Sequence, residues 1–204
     1  MVALYPWLVA IPPLLLLGAI LMPSSLANRQ VRAVRTGVQA LAIVAFVSSV
    51  AATFQLAVFG TLDVSLIKAN GAGPFSLGVY FDSLAAVMSL LIGFIGVVIT
   101  HYSSRYLEGD PRQGRFFRWI SFTLGAVLLL VVSGNLVMFT LSWMLTSLGL
   151  HQLLIHYPER PWAIWAARKK FLISRLGDIL LLTALSLTFY CFGSFEYGEI
   201  FGKA

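Results

Sequence analysis

From Trp119 to Pro158 the chain runs for 40 residues without a single Asp, Glu, Lys or Arg. At about 1.5 Å per residue this stretch would make a helix of roughly 60 Å, about twice the hydrocarbon thickness of a bilayer. It must therefore fold back on itself. Near its middle, Ser133-Gly134-Asn135 combines the small and polar residues that suit a tight reversal, so the run reads as two helices. Met1–Asn28, Thr36–Leu62 and Ser83–Ser104 are also free of charge, and Phe171–Phe192 is interrupted only by Arg175 and Asp178. The predicted spans are 3–22, 37–59, 81–102, 116–133, 135–156 and 163–192. With 59% apolar and 11% charged residues and a mean hydropathy of +0.88, the expected fold is an all-α integral membrane protein of about six transmembrane helices with no soluble domain. Two segments are expected: 1–80, with two helices and an outer loop, and 81–204, with four further helices.

The net charge of +6 does not point to nucleic acid, because the basic residues are sorted by side. Arg29, Arg32 and Arg35 follow the first span. Arg105, Arg112, Arg115 and Arg118 follow the third. Arg160, Arg168, Lys169, Lys170 and Arg175 follow the fifth, leaving Lys68 and Lys203 opposite. The positive-inside rule then places both ends outside, facing the periplasm or exterior. The first span lacks a basic leader and contains Pro6, Pro12 and Pro13, so it reads as a retained helix rather than a cleaved signal. Asp82 suits a helix amino terminus and Pro161 a first helical position. Tyr106–Pro111 reads as a tight turn. The 60–80 connection, with turn formers from Asn70 to Pro74, is expected to wander over the outer surface. Cys191 reads as a packing residue at a helix end.

An ionisable group at lipid depth costs about 2.5–3.5 kcal/mol on insertion scales, so each needs a partner or a purpose. Asp178 has Arg175 three residues before it, which allows a local ion pair; the favoured reading is a carboxylate on a proton path. His151 is weighed evenly between proton exchange and a buried structural role. His156 and His101 read as interface residues. Lys170 belongs to a basic cluster with Arg168 and Lys169 that ordinarily sets topology, and could instead point inward to end a charge chain. Three histidines and one cysteine on different helices or helix ends offer no metal-ligand spacing, and neither a phosphate loop nor a nucleophile elbow is present.

From Tyr80 onward the sequence resembles the large antiporter-like subunit of respiratory complex I. The resemblance is carried by Phe81-Asp82-Ser83-Leu84-Ala85-Ala86-Val87-Met88, by Tyr106-Leu107-Glu108-Gly109-Asp110-Pro111 with Arg115-Phe116-Phe117, and by Gly134-Asn135-Leu136-Val137-Met138-Phe139 leading to Ser142-Trp143. Phe171-Leu172-Ile173-Ser174-Arg175-Leu176-Gly177-Asp178 and Phe192-Gly193-Ser194-Phe195 continue it. One departure stands out: the family's Trp-Glu pair, whose glutamate transfers protons, here reads Trp143-Met144, and a thioether carries no proton. Ser142–His151 and Trp162–Phe171 instead resemble the membrane subunit of DAB-type inorganic-carbon accumulating complexes.

That resemblance implies a non-enzymatic, proton-conducting subunit that couples the proton gradient to bicarbonate accumulation. The chemistry would lie in a peripheral partner with a zinc site like that of a β-carbonic anhydrase, and this chain would hold no cofactor. Asp178, Lys170, Arg175 and His151 are the implied proton-path residues, His151 supplying a titratable group near the missing glutamate. Members of the family have about a dozen or more helices in two inverted repeats with broken helices. The remaining helices are therefore expected from another chain or a missing segment. The alternatives are a subunit of complex I or of a multisubunit cation/proton antiporter, or a non-conducting anchor for a soluble enzyme.

Overall fold

The computed structural model describes residues 5–68 and 76–203. The turn formers from Asn70 to Pro74 lie outside the described residues. The elements in chain order are α1 (Tyr5–Gly18), α2 (Ser24–Arg29), α3 (Val31–Phe59), β1 (Leu62–Lys68), β2 (Ser76–Phe81), α4 (Ser83–Tyr106), α5 (Gln113–Val131), α6 (Leu136–Leu154), α7 (Pro161–Phe192) and α8 (Tyr197–Lys203). α3 to α7 are long and apolar enough to cross a membrane, and Tyr5–Leu21 forms a shorter apolar helical stretch ahead of them. The fold is thus the helical membrane bundle anticipated, with span ends shifted by a few residues.

α5 is the most enclosed span and touches α1, α2, α3, α4 and α6, whereas α7 packs mainly against α6. α3 and α4 approach closely, with Gly93 of α4 directly against the Phe46 backbone of α3, and both helices bury small residues: Ala42, Ala45, Ser49 and Ala52 on one, Ala86, Ser89 and Gly96 on the other. Lipid tails are as apolar as leucine, so helices gain by close backbone approach rather than by hiding oily side chains from water. Hydroxyls at lipid depth largely bond back to their own helix. Ser49 Oγ donates to the Ala45 carbonyl at 2.9 Å, Thr100 Oγ1 to Gly96 at 2.8 Å and Thr123 Oγ1 to Trp119 at 2.8 Å. Ser121 Oγ instead crosses from α5 to the Leu16 carbonyl of α1 at 3.0 Å.

At the face opposite the arginines the 60–80 connection differs from expectation. Instead of wandering, β1 and β2 pair as an antiparallel hairpin, with Leu62 opposite Phe81 and Val64 opposite Val79. Val79 and Phe81 are 1% exposed and join Tyr5, Ala52, Ala85 and Val132 in one core cluster. β2 is also tied to the α5–α6 reversal: Tyr80 N donates to the Val132 carbonyl at 3.1 Å and Gly134 N to the Gly78 carbonyl at 2.9 Å. Leu136 N donates in turn to the Phe195 carbonyl at 3.1 Å, so three distant segments share one seam. As expected, Asp82 caps its helix, accepting from Ala85 N at 2.8 Å, and Asn135 of the reversal caps the next one, accepting from Met138 N at 2.7 Å. Cys191 is exposed rather than packed.

The basic face is closed by a clamp between the α4–α5 and α6–α7 turns. Tyr157 Oη donates to Asp110 Oδ2 at 2.6 Å, and the Arg112 guanidinium reaches both the Glu159 carboxylate and the His156 carbonyl. His156 is buried within the chain, at 6% exposed, with its ring edge-on to Phe116 and Tyr157. Burial pushes its imidazole below the ordinary histidine value, partly offset by the Asp110 charge. Burial would raise the Asp110 carboxyl, but bonds from Tyr157 and the Arg112 N–H together with nearby positive charge outweigh it and hold the group low.

A Cβ on Gly134 would stand 2.5 Å from the Gly78 carbonyl carbon, so Gly134→Ala should cost about 1–3 kcal/mol in thermal unfolding of the purified protein, whereas Gly37→Ala, with open space around it, should not destabilise. His156 is harder to protonate folded than unfolded, so its contribution is complete above about pH 6.5 and is lost as pH falls below that value. Melting temperature against pH should therefore drop through this window and flatten in His156→Gln. The Asp110 contribution should persist until pH falls below about 3.9.

Candidate functional site

Four of the charged or titratable residues singled out from the sequence, His151, Lys170, Arg175 and Asp178, lie on α6 and α7, which pack against each other. Lys170, Ser174 and Asp178 recur every four residues, which puts them on one stripe of α7. α7 exposes most of its length, and only Ala167 and Asp178 on it are buried. A carboxylate is thus one of the two most enclosed side chains on a helix otherwise clad in exposed leucine, isoleucine and phenylalanine.

Asp178 has its ion-pair partner. Arg175 Nη2 stands 2.7 Å from Asp178 Oδ2, with the aspartate side chain 5% exposed and the arginine side chain 42%. The contact is one of charge, since neither carboxylate oxygen accepts a hydrogen bond of good geometry. The Arg175 guanidinium also lies over the Phe171 ring, 5.2 Å from its centroid.

Lys170 does point inward, but to a partner not anticipated. Its Nζ donates to the Ser147 carbonyl at 2.5 Å and to Ser147 Oγ at 2.9 Å, tying α7 to α6. A hydroxyl and a carbonyl offer the ammonium no counter-charge, and among the described residues Lys170 forms no ion pair with Asp178. Beside it is a groove of about 400 Å³ lined by Trp143, Ser147, Leu150, Lys170, Ser174 and Gly177, among others.

His151, one turn beyond Ser147, packs against Phe171 with ring centroids 5.2 Å apart, and its buried Nδ1 has no hydrogen-bond partner. Phe171 therefore touches both His151 and Arg175. Met144, two turns before His151, is partly buried on the same helix. α6 thus brings to this interface an imidazole and a hydroxyl, and α7 an ammonium, a guanidinium and a carboxylate. Four of these five groups titrate or carry fixed charge. The members of the strip whose side chains can exchange a proton are His151, Lys170 and Asp178, while Arg175 carries a fixed charge. Sequence reasoning found the charged members and missed the Lys170–Ser147 tie, whose one signal was the matching polar position on α6.

Comparisons with known proteins agree with this architecture. Residues 69–117 match the family described as NADH-Ubiquinone oxidoreductase (complex I), chain 5 N-terminus, and residues 133–203 match NADH:quinone oxidoreductase/Mrp antiporter, TM. Together the two matches cover more than half of the chain. The probable inorganic carbon transporter subunit DabB2 of Halothiobacillus neapolitanus is 40% identical over 200 residues, which are 95% of this chain and 35% of that protein. NADH-quinone oxidoreductase subunit L of Mycobacterium tuberculosis is 36% identical over 131 residues, 64% of this chain and 21% of that protein. The chain thus spans about a third or less of the length of these relatives. The fold recurs in a chain of the archaeal membrane-bound sulfane sulfur reductase (TM-score 0.79, 13% identity, 95% of this chain and 38% of that one). It recurs also in the Mrp complex of Dietzia sp. (TM-score 0.76, 22% identity, 94% and 20%). With the two family matches on residues 69–117 and 133–203 and the 40% identity to DabB2 along 95% of its length, the chain belongs to the antiporter-like family of multi-pass membrane subunits that includes complex I subunit L and the DabB inorganic carbon transporter subunits.

Proposed function

We propose that this chain is part of a proton-conducting membrane subunit that couples the proton gradient to bicarbonate accumulation. The partner would be a peripheral, zinc-dependent, carbonic-anhydrase-like subunit. The observation that carries the reading is the α6–α7 strip itself: a buried aspartate, an inward lysine and a buried histidine nitrogen at a depth where each is costly to keep. The similarity to DabB2 along 95% of the chain, and a methionine where the respiratory members carry a proton-transfer glutamate, favour carbon uptake over respiration.

In this reading the amino terminus faces the periplasm of a bacterial inner membrane and the arginine-rich face the cytoplasm. Hydration of carbon dioxide by the partner yields bicarbonate and a proton. Passing that proton on through the membrane subunit makes the reverse reaction unfavourable and drives uptake one way. The chain itself catalyses nothing. The rest of the antiporter-like helices comes from a further segment or chain, laid on the exposed side of α7 so that the strip is enclosed.

A second reading has a specific observation behind it: the Arg175–Asp178 contact could simply neutralise a helix inside an anchor that conducts nothing. The two readings separate on substitution. In cells carrying the complete complex, Asp178→Asn should abolish bicarbonate uptake while the complex still assembles; normal uptake would remove Asp178 from the mechanism. His151→Ala should lower proton flux in liposomes holding the complete complex, and unchanged flux in both variants favours the anchor. Affinity purification should bring down a zinc-containing carbonic-anhydrase-like protein; co-purification of respiratory subunits instead would favour complex I.

A further inference from the structure

A small cavity lies deep in the bundle, among α1, α3, α4, α5 and the end of β2, with about 10 Å³ of room for the centre of a water-sized probe. All of its lining residues except Leu8 are buried. That is the size of one water molecule. Two features of its wall are unusual. Leu8 and Val9 line it together with Pro12 and Pro13. Proline has no N–H, so the Leu8 and Val9 carbonyls lose the donors that residues 12 and 13 would supply in an ordinary helix. Ser89 on α4 lines it as well, is 2% exposed, and its Oγ has no hydrogen-bond partner. It does not bond back to its own helix as Ser49, Thr53 and Thr100 do. Ser49 on the facing wall spends its proton on the Ala45 carbonyl and keeps its lone pairs.

We infer that this cavity is a binding site for a single structural water that joins α1 to α4. The water accepts the Ser89 O–H. It donates its two protons among the Leu8 and Val9 carbonyls and Ser49 Oγ, which gives the three bonds typical of a buried water. The proline-broken ladder of α1 and the idle hydroxyl of α4 thus satisfy each other through one molecule, where a direct bond is missing. A cation is disfavoured there, because the lining residues offer neutral oxygens and no carboxylate.

The test uses the complete complex in lipid nanodiscs. A density map fine enough to show ordered solvent should contain one peak within hydrogen-bond distance of Ser89 Oγ and the Leu8 or Val9 carbonyl; an empty cavity in such a map overturns the site. Ser89→Ala should lower the melting temperature by about 2–4 °C. In a Pro12→Ala, Pro13→Ala background, where both carbonyls regain backbone donors, the same substitution should produce no shift. An equal shift in both backgrounds overturns the bridge, and a Ser89-dependent rise in melting temperature with sodium over choline overturns water in favour of a cation. Should the proline variant fail to assemble, the density map and the sodium titration still decide.

Discussion

At lipid depth no bulk solvent is available to accept a proton or donate one, so each backbone and hydroxyl group must find its partner inside the bundle. That constraint shapes nearly every contact in this bundle. It makes the spans helical, turns most serine and threonine hydroxyls back onto their own helices, and brings α3 and α4 together through alanine, serine and glycine. It also explains why α5 sits at the centre. Its Ser121 reaches across to α1, and its Gly125 and Gly114 let the backbones of α1 and α2 approach within contact. Where the helices leave the membrane the rule relaxes, and side chains of different loops meet: aspartate with tyrosine and arginine with glutamate on one face, strand with turn on the other.

The helical plan was legible because charge is so sharply excluded from the spans. The overlong Trp119–Pro158 run forced a reversal, and Ser133-Gly134-Asn135 provides it, with Asn135 capping the next helix. Local signals of this kind held wherever a single stretch decides the outcome, as at Asp82 and Pro161. The hairpin was missed because Leu62, Val64 and Val79 are too few to mark strands, and pairing rests on a partner more than ten residues away. The clamp on the arginine face joins residues 47 apart, a separation that carries no local pattern. For the same reason His156, beside a basic loop in sequence, is enclosed by Phe116 and Tyr157 in space.

The α6–α7 strip was half legible. An aspartate in a run of leucine is conspicuous, and its arginine three residues earlier predicted the pair that forms. Lys170 could be singled out but not its direction, because whether a lysine near a helix end snorkels outward or turns inward depends on the neighbouring helix. Ser147 decides that question here, offering both a carbonyl and a hydroxyl. The aromatic contacts of Phe171 with His151 and Arg175 were beyond sequence reading, since they need the relative rotation of two helices.

The seam on the hairpin face bears on how such a chain is made. Helices entering a membrane one after another can settle in order of synthesis, yet the peptide group of Gly78 waits for Gly134, and that of Leu136 for Phe195. Each knot therefore closes only after two more spans have arrived. Until then a short ribbon with open edges faces the aqueous side, and the moment of its capture marks the earliest point at which the assembled bundle can be distinguished from a row of inserted rods.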